Sequence, residues 1–152
     1  MTYEIRHGDY LISTDPDKLD LDKIHAFLSL ESYWAEGISR ERLNTAIEHS
    51  LPFGIYHDDV QIGFARAISD FSTFAYLADV YIDEDYRGRG LSKLLLEAVL
   101  AHPRLIRLRR WMLGTRDAHG LYAQLGFIPL EEPARWMELA DATTYTRETA
   151  AS

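Results

Sequence analysis

The stretch LADVYIDEDYRGRGLSKLLLEAVL, residues 77–100, joins a strand-like apolar pattern to a helix-like apolar pattern through an acidic turn and a glycine-rich basic loop. The helix should begin near Leu91 and end near His102, because Pro103 cannot continue it. A short apolar strand is predicted next, at 110–114. If it lies parallel beside the first strand, the three elements form a strand–helix–strand crossover.

The rest of the chain predicts one α+β domain over residues 1–152, with a mixed, mostly antiparallel sheet flanked by helices. Asp20 and Ser39 are the expected N-caps of two early helices, and a polar, flexible tail is expected from about residue 140. A further helix is predicted at 118–125, with Asp117 as its cap. The other predicted strands cover 10–14, 53–57, 60–69, 74–82, 127–130 and 135–139.

Composition narrows the function classes. The 152 residues contain no cysteine, which excludes disulfides, thiolate metal sites and a cysteine nucleophile. Neither a long apolar run nor a signal-peptide layout is present, so we expect a cytoplasmic protein without a membrane partner. The net charge of −8 argues against nucleic acid as a partner, and no metal site is predicted.

The basic residues are concentrated in one part of this acidic chain. Residues 87–116 contain eight of the 16 Lys and Arg side chains and one acidic residue, Glu97. Such a cluster forms either a solvated surface or a local site for a polyanion. Two glycines beside a helix start favour an anion site, because the first N–H groups of a helix lack partners and the helix dipole is positive there.

Two familiar phosphate motifs do not fit this loop. The spacing G-x-x-x-x-G-K-[ST] of nucleotide triphosphatases is absent. The dinucleotide pattern G-x-G-x-x-G would begin at Gly88 and Gly90 but has Lys93 at its third glycine.

The loop instead resembles the acyl-coenzyme A loop of the GNAT superfamily of N-acyltransferases, whose pattern is [R/Q]-x-x-G-x-[G/A]. Residues 87–92 read RGRGLS, so the last position holds Ser92 in place of glycine or alanine. A second family pattern, A-x-x-L-Y-x-x-L-G-F, is matched by AHGLYAQLGF at 118–127. The resemblance covers at least residues 77–130 and implies the GNAT fold.

The resemblance implies that acetyl-CoA is the cosubstrate and that its binding residues lie on the strand and the loop. The backbone of Val80 and Ile82 would pair with the pantetheine arm, and Tyr122 would be the general acid that protonates the leaving thiolate. Arg116 is a further candidate for the terminal phosphates. The implied pyrophosphate and phosphate contacts are Arg87, Gly88, Arg89, Gly90, Leu91, Ser92 and Lys93.

The expected acceptor is the primary amine of a small, cationic molecule. Asp79 is a carboxylate within an apolar strand; it would accept the amine's proton or attract a cation, unless it is merely exposed at a strand bulge. Tyr33, Trp34, Phe64 and Arg66 are the candidate acceptor contacts, although each aromatic ring suits core packing equally well.

The main prediction is a monomeric or homodimeric acetyltransferase that transfers the acetyl group directly in a ternary complex. Two alternatives remain. One is a non-catalytic CoA-binding sensor or assembly module of the same fold, which would keep the loop but lack an amine pocket; separately, Tyr122 could be simply a core aromatic residue on a short helix. The other, an RNA-binding protein using the RGRG stretch, is disfavoured by the acidic net charge.

Overall fold

The computed structural model describes residues 2–151 and contains one six-stranded sheet in the order β1-β2-β3-β4-β5-β6. All neighbouring strands are antiparallel except β5 and β6, which are parallel. The strands are β1 (Glu4–His7), β2 (Tyr10–Ser13), β3 (Leu51–His57), β4 (Val60–Ser69), β5 (Phe74–Ile82) and β6 (Arg110–Met112). The helices are α1 (Leu21–Leu30), α2 (Arg40–Glu48), α3 (Leu91–Leu100), α4 (His119–Ala123) and α5 (Thr144–Ala151).

The sheet separates two apolar clusters. On one face, α3 packs its leucines onto β3, β4 and β5, and Leu95 and Leu96 are fully buried there. On the other face, α1 and α2 cover Phe64 and Tyr81. Each fully buried leucine contributes about 2 kcal/mol of transfer free energy, so α3 is anchored firmly and holds the loop before it in place.

The predicted crossover is confirmed, because α3 connects the parallel strands β5 and β6. Both predicted N-caps are also confirmed. The side chain of Asp20 accepts from the backbone N–H of Lys23 at 3.1 Å, and that of Ser39 accepts from Arg42 at the same distance.

Four sequence predictions need correction. Strand β1 was not predicted, because its four residues carry no long apolar pattern. The predicted late strands at 127–130 and 135–139 do not form, and residues 128–140 are exposed beside a 3₁₀ turn at Pro133–Arg135. Asp117 does not cap helix α4: its N-cap position is Ala118, whose N–H donates to the Thr115 hydroxyl, and no side chain of the described residues caps the helix.

The fourth correction concerns the tail. Its residues Thr144–Ala151 form α5, where a flexible segment was expected. The Glu148 carboxylate pairs with the Arg42 guanidinium on α2, so the tail is tied to the helical layer.

Candidate active site

A bulge in β5 shapes the centre of the site. Two residues of β5, Asp79 and Val80, oppose a single residue of β4. Asp79 has a φ of +56°, in the left-handed region that non-glycine residues rarely adopt. A bulge bends its strand and re-aims a side chain. The flanking register pairs are Phe64 with Tyr81 and Arg66 with Ala78.

The outer edge of β5 is open beyond its first three residues. Strand β6 pairs only with Phe74–Tyr76. No strand within residues 2–151 pairs with the β6-facing edge of β5 from Leu77 to Ile82. This stretch holds Val80 and Ile82, the residues predicted to pair with the pantetheine arm, and its open edge offers backbone groups to an added extended ligand.

The glycine-rich loop begins where this open edge ends. Gly88 and Gly90 have φ values of +79° and +75°, and a Cβ atom at either position would meet no neighbour within 4 Å. Glycine is therefore used there for its conformation rather than for close packing. The Arg87 Nε–H donates to the Ile82 carbonyl at 2.9 Å and ties the loop to β5.

The backbone N–H groups at the start of α3 have no side-chain cap among the described residues, so they are available to a hydrogen-bond acceptor. Gly90 is the N-cap and has no side chain with which to cap the helix. Leu91 is buried, Ser92 is half-buried and Lys93 is exposed, so the first turn has one side anchored in the core and one side in solvent. Such a helix start binds anions through its backbone N–H groups.

Arg89 lies on the rim of this loop, and its guanidinium already makes contacts within the protein. Its guanidinium carbon stands 4.8 Å from the centroid of the Tyr86 ring. Its two Nη groups donate at 3.3 Å to the Tyr10 hydroxyl and to the Asp85 carbonyl. A phosphate contact by Arg89 would therefore have to compete with these weak bonds, whereas Lys93 forms no ion pair with any described residue.

Tyr122 lies on α4 and packs against the apolar cluster that includes α3, with Val80 and Leu94 at its margin. Its ring meets Phe127 edge-on at a centroid distance of 5.9 Å. Burial, and secondarily the nearby Tyr33, raise the pKa of Tyr122 to about 12. The phenol is therefore neutral, and able to donate a hydrogen bond, throughout the physiological pH range.

Asp79 is buried, with 9% of its surface exposed, and both of its carboxylate oxygens have partners. The Trp34 indole N–H donates to Oδ1 at 2.9 Å, and the Arg66 Nε–H donates to Oδ2 at 2.5 Å. Three elements distant in sequence thus meet: the segment after α1, strand β4 and the bulge of β5. The alternative in which Asp79 is an exposed bulge residue is wrong.

Tyr33 joins this group to the segment before α4. Its ring is 5.1 Å from that of Trp34 in an edge-on arrangement. Its hydroxyl accepts from the backbone N–H of Arg116 at 2.8 Å, and the Arg116 guanidinium lies 3.9 Å above the ring. Arg116, a sequence candidate for the terminal phosphates, is therefore held against the predicted acceptor side; no sequence motif indicated this contact.

Phe64 is the predicted acceptor contact that the structure does not support. It is fully buried among α1, α2 and Tyr81, because β4 is a central strand covered by the helical layer. The sequence also missed the stacking of Phe27 on Tyr81, with centroids 3.9 Å apart, which closes the core beneath Trp34.

The remaining arginines of the basic segment lie elsewhere. Arg104 stacks on Phe71 at 3.6 Å, and Arg110 stacks on Trp136 at 4.8 Å. A cavity of about 750 Å³ borders Arg110 on the far side of β6, but none of the predicted site residues lines it. Its lining includes Phe127, whose ring contacts that of Tyr122.

Residues 2–151 contain neither a cluster of metal-ligating side chains nor a helix of membrane-spanning character. No group of three or more His, Asp or Glu side chains in this range is arranged to hold a metal ion. No helix in the same range is long and apolar enough to cross a bilayer.

Comparison with known proteins identifies the family. The model of the acetyltransferase (GNAT) family matches residues 14–127. A candidate acetyltransferase of Gibberella zeae is 36% identical over 140 residues, an alignment that covers 77% of each chain.

Solved structures agree with this. A crystal structure of a candidate GNAT acetyltransferase from Xanthomonas campestris is 47% identical, with a TM-score of 0.88, and covers 93% of this chain and 99% of its own. A crystal structure of a candidate acetyltransferase from Deinococcus radiodurans, at 20% identity and a TM-score of 0.72, covers 94% of this chain and 96% of its own and shares the fold. With its parallel β5–α3–β6 unit and glycine-rich loop, this chain belongs to the GNAT family of acetyltransferases.

Proposed function

We propose that the protein transfers an acetyl group from acetyl-CoA to a primary amine of a small acceptor, directly and within a ternary complex. The observation that carries this proposal is the open edge of β5 from Leu77 to Ile82, which leads into the glycine-rich loop. An extended ligand with an anionic end fits an unpaired strand edge that ends at a helix N-terminus.

The donor side is assigned as follows. The pantetheine arm adds to β5 at Val80 and Ile82, and the pyrophosphate lies against the backbone of residues 87–92. The Ile82 carbonyl already accepts from Arg87, so the ligand uses the second lone pair of that oxygen. Ser92, half-buried in the first turn of α3, is small enough to allow this approach.

The reaction is an acyl transfer in which the amine nitrogen attacks the thioester carbonyl. The N–C bond forms, the C–S bond breaks, and the sulfur leaves with the bonding electron pair. The nitrogen loses one proton and the sulfur gains one, so the products are an N-acetyl amide and free CoA thiol.

Tyr122 is assigned to the leaving sulfur. A thiol has a pKa near 8.5, so full proton transfer from a phenol with a pKa of about 12 is uphill. The Tyr122 hydroxyl therefore stabilises the departing sulfur by hydrogen bonding while negative charge develops there, and the proton lost by the amine restores the thiol.

Asp79 is assigned a positioning role in this proposal. Proton uptake by Asp79 would break its bond to Trp34 or to Arg66. These two bonds hold Trp34, Arg66 and Asp79 together as one wall of the proposed site. The ammonium form of the acceptor is instead taken to lose one proton to water before attack, and the second proton, lost by the nitrogen as the amide forms, is the one that restores the thiol.

Ligand-dependent thermal stability tests the donor. Acetyl-CoA and CoA should raise the melting temperature, whereas NADPH and ATP should not, because ligands that bind the native state stabilise it. The absence of a shift with both CoA compounds would overturn the proposal.

Turnover then separates an enzyme from a CoA-binding module of the same fold. Acetyl-CoA is incubated with a panel of amines, and the free thiol that appears is compared with an amine-free control. Amine-dependent thiol release supports the enzyme, and CoA binding without any such release supports the sensor or assembly module.

A further inference from the structure

Arg66 has more hydrogen-bond donors than the protein uses. A guanidinium carries five N–H donors. The Arg66 Nε–H binds Asp79, and no described residue accepts from its Nη groups. The side chain is 14% exposed, and its Nη groups are not among the buried, unpaired polar atoms of the described residues, so a ligand or solvent can reach these four donors. Because the Nε–H is fixed on Asp79 and most of the side chain is covered, these donors are held in place for a ligand.

The charge balance of the wall also favours an anion. The single negative charge of Asp79 is matched by Arg66, and its second oxygen is taken by the Trp34 indole. Arg116 adds another positive charge against Tyr33. The carboxylates of Glu31 and Glu36 flank this segment, but both residues are exposed to water.

Arg66 is also close to the proposed chemistry. Its partner Asp79 stands on the bulge at the open edge of β5. Trp34, which holds the other oxygen of Asp79, touches Tyr33, and Tyr33 is near enough to Tyr122 to influence the pKa of the phenol. Neighbouring side chains therefore connect Arg66 with the tyrosine assigned to the leaving sulfur.

Resting on the proposed acetyl transfer, we infer that the Nη groups of Arg66 bind a carboxylate of the acceptor, which is therefore an amine that also carries a carboxylate, such as an amino acid. Arginine is suited to this role because its planar fork matches a carboxylate in bidentate geometry. The cationic acceptor expected from the acidic composition becomes a zwitterion, since Asp79 has no unbalanced charge to offer.

Matched substrate pairs test the inference with the natural protein. The probes are glycine, alanine, leucine, phenylalanine and glutamate, each paired with its α-carboxamide and with the amine that lacks the carboxylate. Thiol release from acetyl-CoA gives kcat/KM, expressed per unprotonated amine because the amides are weaker bases. The best acid should exceed its amide at least tenfold, which is typical of losing a charge-assisted bond.

Variants assign the preference to Arg66. In the double variant Arg66→Met/Asp79→Asn, both charges of the pair are removed together, so no buried charge is left unmatched. The acid-to-amide ratio of kcat/KM should fall to about one. Arg107→Met removes an equal charge from an exposed residue of the basic segment and should keep the natural ratio. An unchanged ratio in the double variant overturns the inference.

The outcomes also separate this inference from the proposed function. If acetyl-CoA does not stabilise the protein, or if no amine is turned over, the proposed acetyl transfer is overturned, and the inference that rests on it is overturned as well. When acetyl-CoA binds but amides and carboxylate-free amines react as well as the acids, only the inference is overturned. A double variant that does not fold leaves the substrate pairs on the natural protein to decide.

Discussion

The two ends of the proposed site, the glycine-rich loop and the group around Asp79, are built on different principles. The loop of residues 87–92 is contiguous in sequence and mostly exposed, and it offers backbone N–H groups supported by two left-handed glycines. The opposite wall consists of Trp34, Arg66 and Asp79, which come from three elements and meet through part-buried side-chain bonds. The first end suits a constant anionic ligand, and the second can change with single substitutions while the fold persists.

The two ends should also differ in how substitutions change stability and ligand binding. Loss of a backbone-based anion site requires a change of loop conformation, whereas loss of one side chain in the wall leaves its partner buried and unpaired. We therefore expect substitutions in the wall to affect stability and those in the loop to affect donor binding. Four predictions test this separation.

The largest effect is expected at Tyr122, between the two ends. Tyr122→Phe should lower kcat roughly 100-fold, because losing one positioned hydrogen-bond donor to a developing negative charge costs about that much or more. Steady-state thiol release at saturating substrates measures it. Stabilisation by acetyl-CoA should be retained, and Tyr3→Phe, which removes a phenol on the α3 side of the sheet, serves as the control.

The pH profile of the natural enzyme supplies a second readout for Tyr122. Because the pKa of this phenol is raised to about 12, its hydroxyl stays protonated well beyond neutrality. Between pH 6 and 10, kcat/KM should rise as the amine loses its proton, without a descending limb. A decline with a midpoint below pH 10 would contradict the assigned role.

The next effect is on stability and comes from the wall. Asp79→Ala leaves the Arg66 guanidinium without its carboxylate, which should cost about 3 kcal/mol of the free energy of unfolding. Asp79→Asn should cost less, since an amide retains an acceptor and tolerates positive φ. Denaturant unfolding measures both.

The matched control for this prediction is Asp59→Ala. Asp59 also has a positive φ, of +65°, but lies exposed in the β3–β4 turn. It should therefore report the backbone strain alone, about 1 kcal/mol. If the two alanine variants lose the same stability, the buried pair contributes nothing and the contrast between the two ends disappears.

At the loop, Gly90→Ala should weaken acetyl-CoA binding about tenfold. The alanine Cβ meets no neighbour, but a φ of +75° costs roughly 1 kcal/mol for a residue other than glycine and shifts the loop from the helix start. The KM values for acetyl-CoA and for the amine are measured separately, and only the first should rise.

Gly8→Ala is the control for this strain. Gly8 has a φ of +60° in the turn between β1 and β2, and a Cβ there also meets nothing within 4 Å. Its melting temperature should fall as in Gly90→Ala, with both KM values unchanged. Equal changes of KM in the two variants would contradict a donor site at residues 87–92.

The smallest effect concerns the scaffold that both ends share. Burial, and secondarily Arg104, lower the pKa of His102, which packs against Tyr3 and Phe53. The folded state then binds fewer protons than the unfolded chain once the pH falls below about 6.5. Stability should therefore drop between pH 7 and pH 5, and His102→Gln should reduce the drop.

Urea midpoints at the two pH values measure this drop, and the exposed His7 provides the control through His7→Gln. Because His102 belongs to the scaffold that both ends share, its loss of stability at low pH should affect acetyl-CoA binding and amine binding equally. A pH dependence that is identical in the natural protein and in His102→Gln would assign it to other groups.

Much of the fold was predictable because its signals are local. Helix caps at Asp20 and Ser39 and the helix after Gly90 follow from residues within a few positions of one another. Strand β1 and the unpaired segment at 127–140 were not predictable in this way, since pairing depends on which edge is free in the finished sheet.

The sequence by itself determined the glycine-rich loop, the crossover around it and the position of Tyr122 in the chain, because contiguous residues set backbone conformation and helix starts. Only the tertiary structure decided that the bulge at Asp79 meets Arg66 and Trp34, that Phe64 is buried, and that β5 and β6 separate after Tyr76. Those features depend on contacts between segments tens of residues apart, and no local pattern of residues encodes them.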